Sequence, residues 1–148
     1  MDNLTPEQRR RNMQAIKSTS TKDEVRLAKA LWHLGLRYRK NNKKVFGKPD
    51  ITFKKYKIAI FIDSEFFHGK DWEIQMSRIK SNRDYWIPKI ERNIKRDIQV
   101  NTYLKEQKWL VLRFWSKQIK QELDVCICKI QHAIAIKKFE HEIYRNSK

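Results

Sequence analysis

Cysteine, glycine and proline are scarce in this sequence, which contains two, three and three of them, respectively. Cys126 and Cys128 lie two residues apart in a helical pattern, so their side chains face different directions and are poorly placed to form a disulfide. We interpret both as small buried residues rather than metal ligands. The apolar runs are shorter than the roughly 18 residues of a membrane-spanning helix, which excludes such a span.

The N-terminal residues, MDNLTPEQRRRN, lack the apolar segment of a secretory signal peptide, so we expect a cytoplasmic protein. With 148 residues, 40% of them hydrophobic, the chain is long enough for one domain with its own core. We therefore predict a single domain over residues 1–148, with an N-terminal helical arm at about 1–20 and a C-terminal helix and polar tail at about 117–148.

Acidic residues are half as numerous as basic ones. The chain has 17 aspartates and glutamates against 34 lysines and arginines, which gives a formal charge of +17. Such an excess of positive charge is typical of proteins that bind a polyanion such as nucleic acid. The alternative is a charged surface that only keeps the protein in solution.

Capping motifs indicate two helices in the N-terminal part of the chain. Thr5 and the proline after it predict a helix over residues 6–17. Thr21 and Glu24 have capping-box spacing and precede apolar residues at helical intervals, which predicts a second helix that is stopped by Gly35.

Three segments before residue 64 favour strands: LRYRK (36–40), DITF (50–53) and KIAIFID (57–63). A short turn at 54–56 separates the last two, so we predict an antiparallel hairpin. The KIAIFID strand is apolar on both faces and should be central in its sheet.

Residues 64–81 lack periodicity and are predicted to form a loop. A long amphipathic helix should follow from Asn82, with these apolar residues at helical spacing: Trp86, Ile90, Ile94, Ile98 and Leu104. WLVLRFW (109–115) is predicted to be a buried strand, and Ser116 to cap a final helix. This order of elements predicts an α/β fold with a mixed central β-sheet flanked by helices.

Acidic residues occur at both ends of the predicted hairpin. Asp50 begins one strand and Asp63 ends its antiparallel partner, so the hairpin would bring the two carboxylates together. Such a pair can hold Mg²⁺ through oxygen ligands, and the ion can then bind a scissile phosphate and activate a water molecule. The alternative is that Asp50 belongs to an ordinary turn and Asp63 only ends a strand at the solvent.

The segment after Asp63 contains further candidates. His68, beside Gly69, could act on a water molecule near the metal, or it could be a surface histidine. Phe66 and Phe67 are adjacent in a predicted loop, so at least one ring should lie outside the core, where it could stack on bases or insert between them. The alternative is a small apolar cluster beneath the loop.

Several motifs occur in an order that resembles the very-short-patch-repair (Vsr-type) DNA mismatch endonucleases of the PD-(D/E)xK nuclease superfamily. They are GKPDITF, FIDSEFFHG, SNRDYWIPKIERNIKRD and WLVLRFW, preceded by RRNMQAIKSTSTKDEVRLAKALWHLGLRYRKN. The resemblance covers roughly residues 8–117 and implies a restriction-endonuclease-like fold and a magnesium-dependent DNA endonuclease. Members of the family cut the strand that carries T of a T:G mismatch.

The resemblance also implies roles for single residues. Asp50 matches the magnesium-binding aspartate, and Ile62 matches the residue whose backbone carbonyl also binds the metal. His68 matches the histidine beside the attacking water, and Glu24 matches a supporting glutamate on the N-terminal helix. Asp63 stands where some members have histidine, and as an acid it is a candidate metal ligand.

The DNA contacts implied by the resemblance come from aromatic and basic residues. Phe66, Phe67 and Trp86 match rings that insert beside the mismatched pair from the major groove, and Met13 matches a residue that inserts from the minor groove. Basic residues around 78–96 are expected to contact phosphates; they include Lys89, Arg92 and Arg96.

The sequence departs from the family pattern at three places. Phe67 stands where many members have tryptophan, so the inserted ring is smaller. Glu65 stands where many members have the first cysteine of a structural zinc site, and no cysteine lies near 70–72 or just after Trp115, so we expect no structural zinc. The superfamily's catalytic lysine is missing from residues 63–65.

We therefore predict a magnesium-dependent endonuclease that nicks one strand of double-stranded DNA at a T:G mismatch. It should act as a monomer and work with other mismatch-repair proteins. The alternatives are a restriction or nicking endonuclease on the same scaffold that cuts an unmismatched site, and a non-catalytic basic DNA-binding module.

Overall fold

The computed structural model describes residues 5–8 and 21–147. Residues 6–8 are helical, and Thr5 and Gln8 exchange side-chain-to-backbone hydrogen bonds of 3.0 and 3.1 Å, as the first capping motif predicts. The rest of the predicted helix over 6–17 lies outside the described residues, and Met13 lies there too. None of the described helices is long and apolar enough to cross a membrane.

In the described part of the chain, four strands form one mixed sheet in the order β1–β2–β3–β4; they are Arg39–Lys40, Ile51–Phe53, Ile58–Asp63 and Leu110–Trp115. β1, β2 and β3 pair antiparallel, whereas β3 and β4 run parallel. The predicted hairpin is confirmed, with Ile51 opposite Ile60 and a 3₁₀ turn at Lys54–Tyr56. Parallel strands need a long crossover, which the chain between β3 and β4 supplies.

Within residues 21–147, the helices are α1 (Lys22–His33), α2 (Trp72–Arg78), α3 (Arg83–Glu106), α4 (Ser116–Gln121) and α5 (Leu123–Asn146). Together with the sheet they confirm the predicted α/β class. α1 begins with the predicted capping box between Thr21 and Glu24, and the chain leaves it through Gly35, which has a φ of +83°. Glycine tolerates this left-handed conformation without steric cost.

Two predictions about helices were wrong. The predicted loop over 64–81 contains α2, a seven-residue helix with no buried residue, so it has no apolar stripe for sequence periodicity to reveal. The single helix predicted after Ser116 is two helices, because Glu122 leaves the helical conformation with φ −132° and ψ 43°. Trp115, not Ser116, is the N-cap of α4.

Three predictions about burial also need correction. Ile98, placed on the apolar face of the long helix, is 59% exposed. Cys126 is buried as predicted, but Cys128 is exposed. In β4 only Phe114 is fully buried. Residue type and spacing suggested that these side chains are buried, whereas their burial depends on which face another element covers.

β3 is central and almost wholly buried, as predicted, and it separates two cores. Ile58 and Ile60 pack in a core with α1, α4 and α5, whereas Ala59 and Phe61 pack against α3. Side chains alternate along a strand, so Asp63 continues the row of Ala59 and Phe61. This register directs the acid at the end of β3 toward helix α3.

Candidate active site

A cavity opens where the end of β3 and the start of β2 meet helix α3. Its lining includes polar and charged groups from the segment before β2, from β3 and the loop after it, from α3 and from β4: Lys48, Asp50, Asp63, His68, Asn93, Arg96, Asp97 and Arg113. Ile62 lines it as well. The structure therefore brings Asp50, Ile62, Asp63 and His68, all predicted from the sequence, into one cavity.

Asp50 lies directly before β2 and is tied to both β3 and α1. Its Oδ2 accepts a 2.7 Å hydrogen bond from the backbone N–H of Ile62, and its carboxyl group is hydrogen-bonded to that of Glu24. Burial, followed by the contact with Glu24, raises the pKa of Asp50 to about 8. Below that pH Asp50 carries a proton, which a bound cation would displace.

Glu24 reaches Asp50 because the capping box fixes it at the start of α1. Its Oε2 accepts a 2.8 Å hydrogen bond from the Thr21 N–H, and its own N–H donates to Thr21 Oγ1 at 3.3 Å. The residue is buried. A local capping motif thus holds a carboxyl group in place at the edge of the sheet.

A second group of charged side chains surrounds Asp63. Arg113 Nη1 lies 3.2 and 3.0 Å from Asp63 Oδ1 and Oδ2, and 3.5 Å from Asp97 Oδ1. His68 Nδ1 lies 2.6 Å from Asp97 Oδ2, and His68 Nε2 lies 3.7 Å from Asp63 Oδ1. Arg113 Nε donates to Asn101 Oδ1 at 2.7 Å, which fixes the guanidinium between the two carboxylates.

The charges in this group influence one another's pKa. Burial raises the pKa of Asp63, and the positive charges of His68 and Arg113 offset part of that rise. Burial lowers the pKa of His68, but its hydrogen bond to Asp97 and the charge of Asp63 outweigh burial, so the net pKa is raised. His68 therefore accepts a proton more readily than an isolated imidazole does.

Two sets of side chains are candidates for a metal ion. Asp63, His68 and Asp97 each offer a ligand atom, and these atoms lie within 4.8 Å of one another. The guanidinium of Arg113, 3.0 Å from Asp63, already supplies a positive charge there. Among the described residues, by contrast, no ion pair with a lysine or arginine balances Asp50. Within the part of the chain that the structure describes, the second set, around Asp50, is thus the one without a lysine or arginine partner.

Phe66, Phe67 and Trp86 form a group of three rings, here called the aromatic cluster. The ring centroids are 5.2 Å apart for Phe66–Phe67 and for Phe66–Trp86, and 6.1 Å apart for Phe67–Trp86. Tyr85 extends the group, with its ring 4.9 Å from that of Trp86, and Lys89 Nζ donates to the Tyr85 hydroxyl at 3.1 Å. The sequence analysis named the three rings and Lys89 but missed Tyr85.

The loop between β3 and α2 carries both His68 and part of the aromatic cluster, and it packs closely on α3. Gly69 has a φ of +64°, and a Cβ at this position would lie 2.5 Å from Ile94 Cδ1. Asn93 Nδ2 donates to the Phe67 carbonyl at 2.9 Å. α3 therefore fixes the catalytic candidate His68 and the rings relative to each other.

The sequence analysis did not identify Asp97 and Arg113, although a signal for each was present. Arg113 is a charged residue inside an otherwise apolar strand, and Asp97 is an acid in a basic helical segment. Of the basic residues predicted to contact phosphates, Arg96 lines the cavity and Arg92 is exposed on α3.

Comparison with known proteins matches residues 1–74 to the family described as DNA mismatch endonuclease Vsr. The type II nicking enzyme V.NmeDIP of Neisseria meningitidis serogroup C is 56% identical over 138 residues, 93% of each chain. The type II nicking enzyme V.HpaIIP of Haemophilus parainfluenzae is 56% identical over 135 residues, 90% of this chain and 96% of that one. DNA mismatch endonuclease Vsr of Escherichia coli K12 is 32% identical over 108 residues, 72% of this chain and 68% of its own. The chain belongs to the Vsr family.

As a member of the Vsr family, the protein is a DNA endonuclease. The predicted family, the α/β fold and the enzyme class are thereby confirmed. The predicted binding of DNA as substrate follows from the same membership. The non-catalytic alternative is not supported.

This Vsr-family chain makes a direct contact at the position where many members have a zinc-binding cysteine. Glu65 Oε1 accepts a 2.7 Å hydrogen bond from the backbone N–H of Lys117, at the start of α4. Ser116 Oγ donates to the Asp63 carbonyl at 3.4 Å, and Lys70 Nζ lies 5.9 Å from the centroid of the Trp115 ring. These contacts connect the loop after β3 to the end of β4.

Proposed function

We propose that this endonuclease is magnesium-dependent and nicks one strand of DNA at a T:G mismatch, in very-short-patch repair. The observation that carries the proposal is the aromatic cluster beside the carboxylate cavity: His68 follows Phe67 directly, and Asn93, which lines the cavity, hydrogen-bonds to the same loop. The relatives named type II nicking enzymes support the nicking of a single strand, and the relative named DNA mismatch endonuclease supports action at a mismatch.

We assign Asp50 and the Ile62 carbonyl to the metal ion, with Glu24 in support. The Ile62 N–H already bonds to Asp50, and the N–H and C=O of a strand residue point to the same side, so the Ile62 carbonyl faces Asp50 too. These oxygen donors suit Mg²⁺, which when bound would neutralise the scissile phosphate and make its water more acidic. The predicted role of Asp63 as a further metal ligand stays a prediction, and we also assign its carboxylate to holding Arg113 and His68 in place.

His68 is the residue we assign to the attacking water. Asp97 accepts the hydrogen bond from Nδ1, so Nε2 is left to take a proton from the water. Asp97 and Asp63 then stabilise the imidazolium that forms, because both carboxylates lie within 3.7 Å of the ring nitrogens. Together these groups supply a general base.

The aromatic cluster supplies selectivity in this proposal. Separating base steps costs a few kcal/mol, and less where a mismatch has weakened the pairing. Stacking on exposed rings offsets about 1–3 kcal/mol per base. A mismatch is therefore the least costly place for the three rings to enter the duplex.

A nicking assay on a set of otherwise identical duplexes tests the proposal. The substrates are identical except for one central pair, which is T:G, another mismatch, T:A or C:G, and Asp50→Asn is the inactive control. We expect Mg²⁺-dependent nicking of the T strand of the T:G duplex, little nicking of paired duplexes, and no nicking by the control. Equal cleavage of T:G and T:A duplexes would overturn the proposal.

A second candidate is a nicking enzyme that acts on a fully paired recognition sequence, which the names of the type II nicking relatives favour. A fully paired plasmid library separates the two candidates. Nicks confined to one sequence in paired DNA would support the second candidate.

We further propose that the protein acts in the cytoplasm as a monomer and passes nicked DNA to other mismatch-repair proteins. Light scattering of the protein bound to a T:G duplex tests whether the protein acts as a monomer. A mass of one protein chain per duplex is expected, and two chains per duplex would contradict it.

A further inference from the structure

We propose that the contacting rings of Phe46 and Tyr103 form a second DNA-contact surface, which binds the duplex on the opposite side of the cavity from the aromatic cluster. The proposal rests on the assignment of the cavity as the cleavage site. We call these two residues the flanking aromatic pair.

The flanking aromatic pair is exposed although its rings contact each other. The ring centroids are 4.7 Å apart with an interplanar angle of 57°, and the residues are 49% and 45% exposed, respectively. Rings of a satellite core would be covered, whereas these two keep about half of their surface for a ligand. Flat exposed rings beside basic residues suit stacking on the bases or sugars of nucleic acid.

Both residues of the flanking aromatic pair lie next to residues that line the cavity. Phe46 directly precedes Gly47 and Lys48, which line the cavity, and Tyr103 follows the cavity-lining Val100 by about one helical turn. A Cβ at Gly47 would lie 2.5 Å from Val100 Cγ1, so the loop lies directly against α3. The pair is therefore continuous with the proposed cleavage site.

Helix α3 sets the spacing between the two aromatic surfaces. Trp86 is near its N-terminal end and Tyr103 near its C-terminal end, a separation of about 25 Å at roughly 1.5 Å per residue. Asp97, in the cavity, lies between them at about 9 Å from Tyr103 along the axis. A duplex lying along α3 would span this distance of about 9 Å in roughly three base pairs, at a rise of about 3.4 Å per base pair.

The charge of the loop that carries Phe46 fits a phosphate backbone. Lys43, Lys44 and Lys48 are all exposed on this loop. The loop has a fixed shape, because the Lys44 N–H donates to Asn42 Oδ1 at 3.0 Å and the Lys48 N–H donates to the Val45 carbonyl at 3.0 Å. The occupant that this basic, aromatic surface fits is DNA, not an acidic protein.

Duplexes with arms of unequal length test the proposal. Binding is measured with Ca²⁺ in place of Mg²⁺, on duplexes with a long arm on either side of the cleavage position and with one arm cut to about two base pairs. We expect Phe46→Ala and Tyr103→Ala to weaken DNA binding about tenfold when the arm on the side of the flanking aromatic pair is long. When that arm is short, the two variants should bind like the wild type.

Control variants separate a DNA contact from a structural effect. Phe46→Tyr keeps a ring and should bind like the wild type, and Phe139→Ala removes a 63% exposed ring from α5 and should also leave binding unchanged. A loss that is equal for long and short arms would overturn the proposal, as would no loss at all. If the two alanine variants lose binding to an acidic protein but keep binding to DNA, the surface is a protein-docking site, and this result would also overturn the proposal.

This test is independent of mismatch selectivity. If the wild type nicks paired and T:G duplexes equally, the proposed function fails, yet the dependence on arm length remains measurable. If T:G nicking is selective but the variants show no dependence on the arm, only the second contact surface fails.

Discussion

Glu24 and Asp50 carry carboxyl groups that hydrogen-bond to each other, although one residue starts helix α1 and the other precedes β2. Two ionised carboxylates in direct contact repel, so the contact requires a proton or a cation between them. The metal ion proposed at Asp50 would therefore have to displace that proton.

Metal affinity should rise with pH. The pKa of Asp50 is raised to about 8, so Mg²⁺ must displace a proton below that pH, and affinity should rise up to tenfold per pH unit and level off above about pH 8. Titration calorimetry at about pH 6 to 9 measures this. Glu24→Gln keeps a hydrogen-bond partner without the charge, so it should shift the dependence to lower pH. Affinity independent of pH would contradict the assignment of Asp50.

The same pair should make the metal-free protein less stable at high pH. Because the folded-state pKa of Asp50 exceeds its ordinary value of 3.8, the stabilisation by the bound proton is complete below about pH 4 and is lost as pH rises through about 8. Urea unfolding in the presence of a chelator should show a falling midpoint, and Asp50→Asn should flatten this dependence. If the urea midpoint of the wild type rises with pH over this range while that of Asp50→Asn does not, the proton held between Asp50 and Glu24 is refuted.

Arg113→Met should destabilise the fold by about 3 kcal/mol, because it leaves the buried Asp63 and neighbouring Asp97 without their guanidinium partner. Urea unfolding at neutral pH measures the loss. The double variant Asp63→Asn/Arg113→Met should recover part of it, since the uncompensated charge on residue 63 is then absent. Equal stability of the two variants would show that the Asp63–Arg113 pair is not coupled.

Glu65→Ala should release the loop after β3 from the start of α4. Loss of the 2.7 Å hydrogen bond to the Lys117 N–H should cost about 1 kcal/mol and speed amide exchange at Lys117. Glu65→Gln retains an acceptor and serves as the control. Slow Lys117 exchange in the alanine variant would rule out this role of Glu65.

We also expect no structural zinc, so elemental analysis should find no stoichiometric zinc in the wild type.

Phe67→Ala should lower the rate of nicking a T:G duplex by roughly tenfold and reduce discrimination against paired DNA, because one stacking ring is lost. Single-turnover rates on T:G and T:A duplexes measure both effects. Phe67→Leu restores apolar volume without a ring and should behave like the alanine variant. Full selectivity in the leucine variant would show that Phe67 acts by filling space.

Local sequence patterns determined much of this protein. Capping residues fixed the start of α1, two apolar segments separated by a short turn fixed the β2–β3 hairpin, and the two-sided apolarity of β3 placed it in the centre of the sheet. These features depend on interactions between residues that are near in the chain, so their signal is present in short windows. Local sequence also made Asp50, His68, Phe66 and Phe67 candidates, and the resemblance to the Vsr family added Trp86.

Only the tertiary structure decided which charges meet. Asp63 and Asp97 are 34 residues apart in sequence, and Arg113 comes from a strand added by a parallel crossover, so no local pattern predicts that they share one cavity. The rotation of α3 turns Asp97 toward that cavity and Ile98 toward solvent. The packing of distant elements sets that rotation, and sequence spacing alone does not contain it.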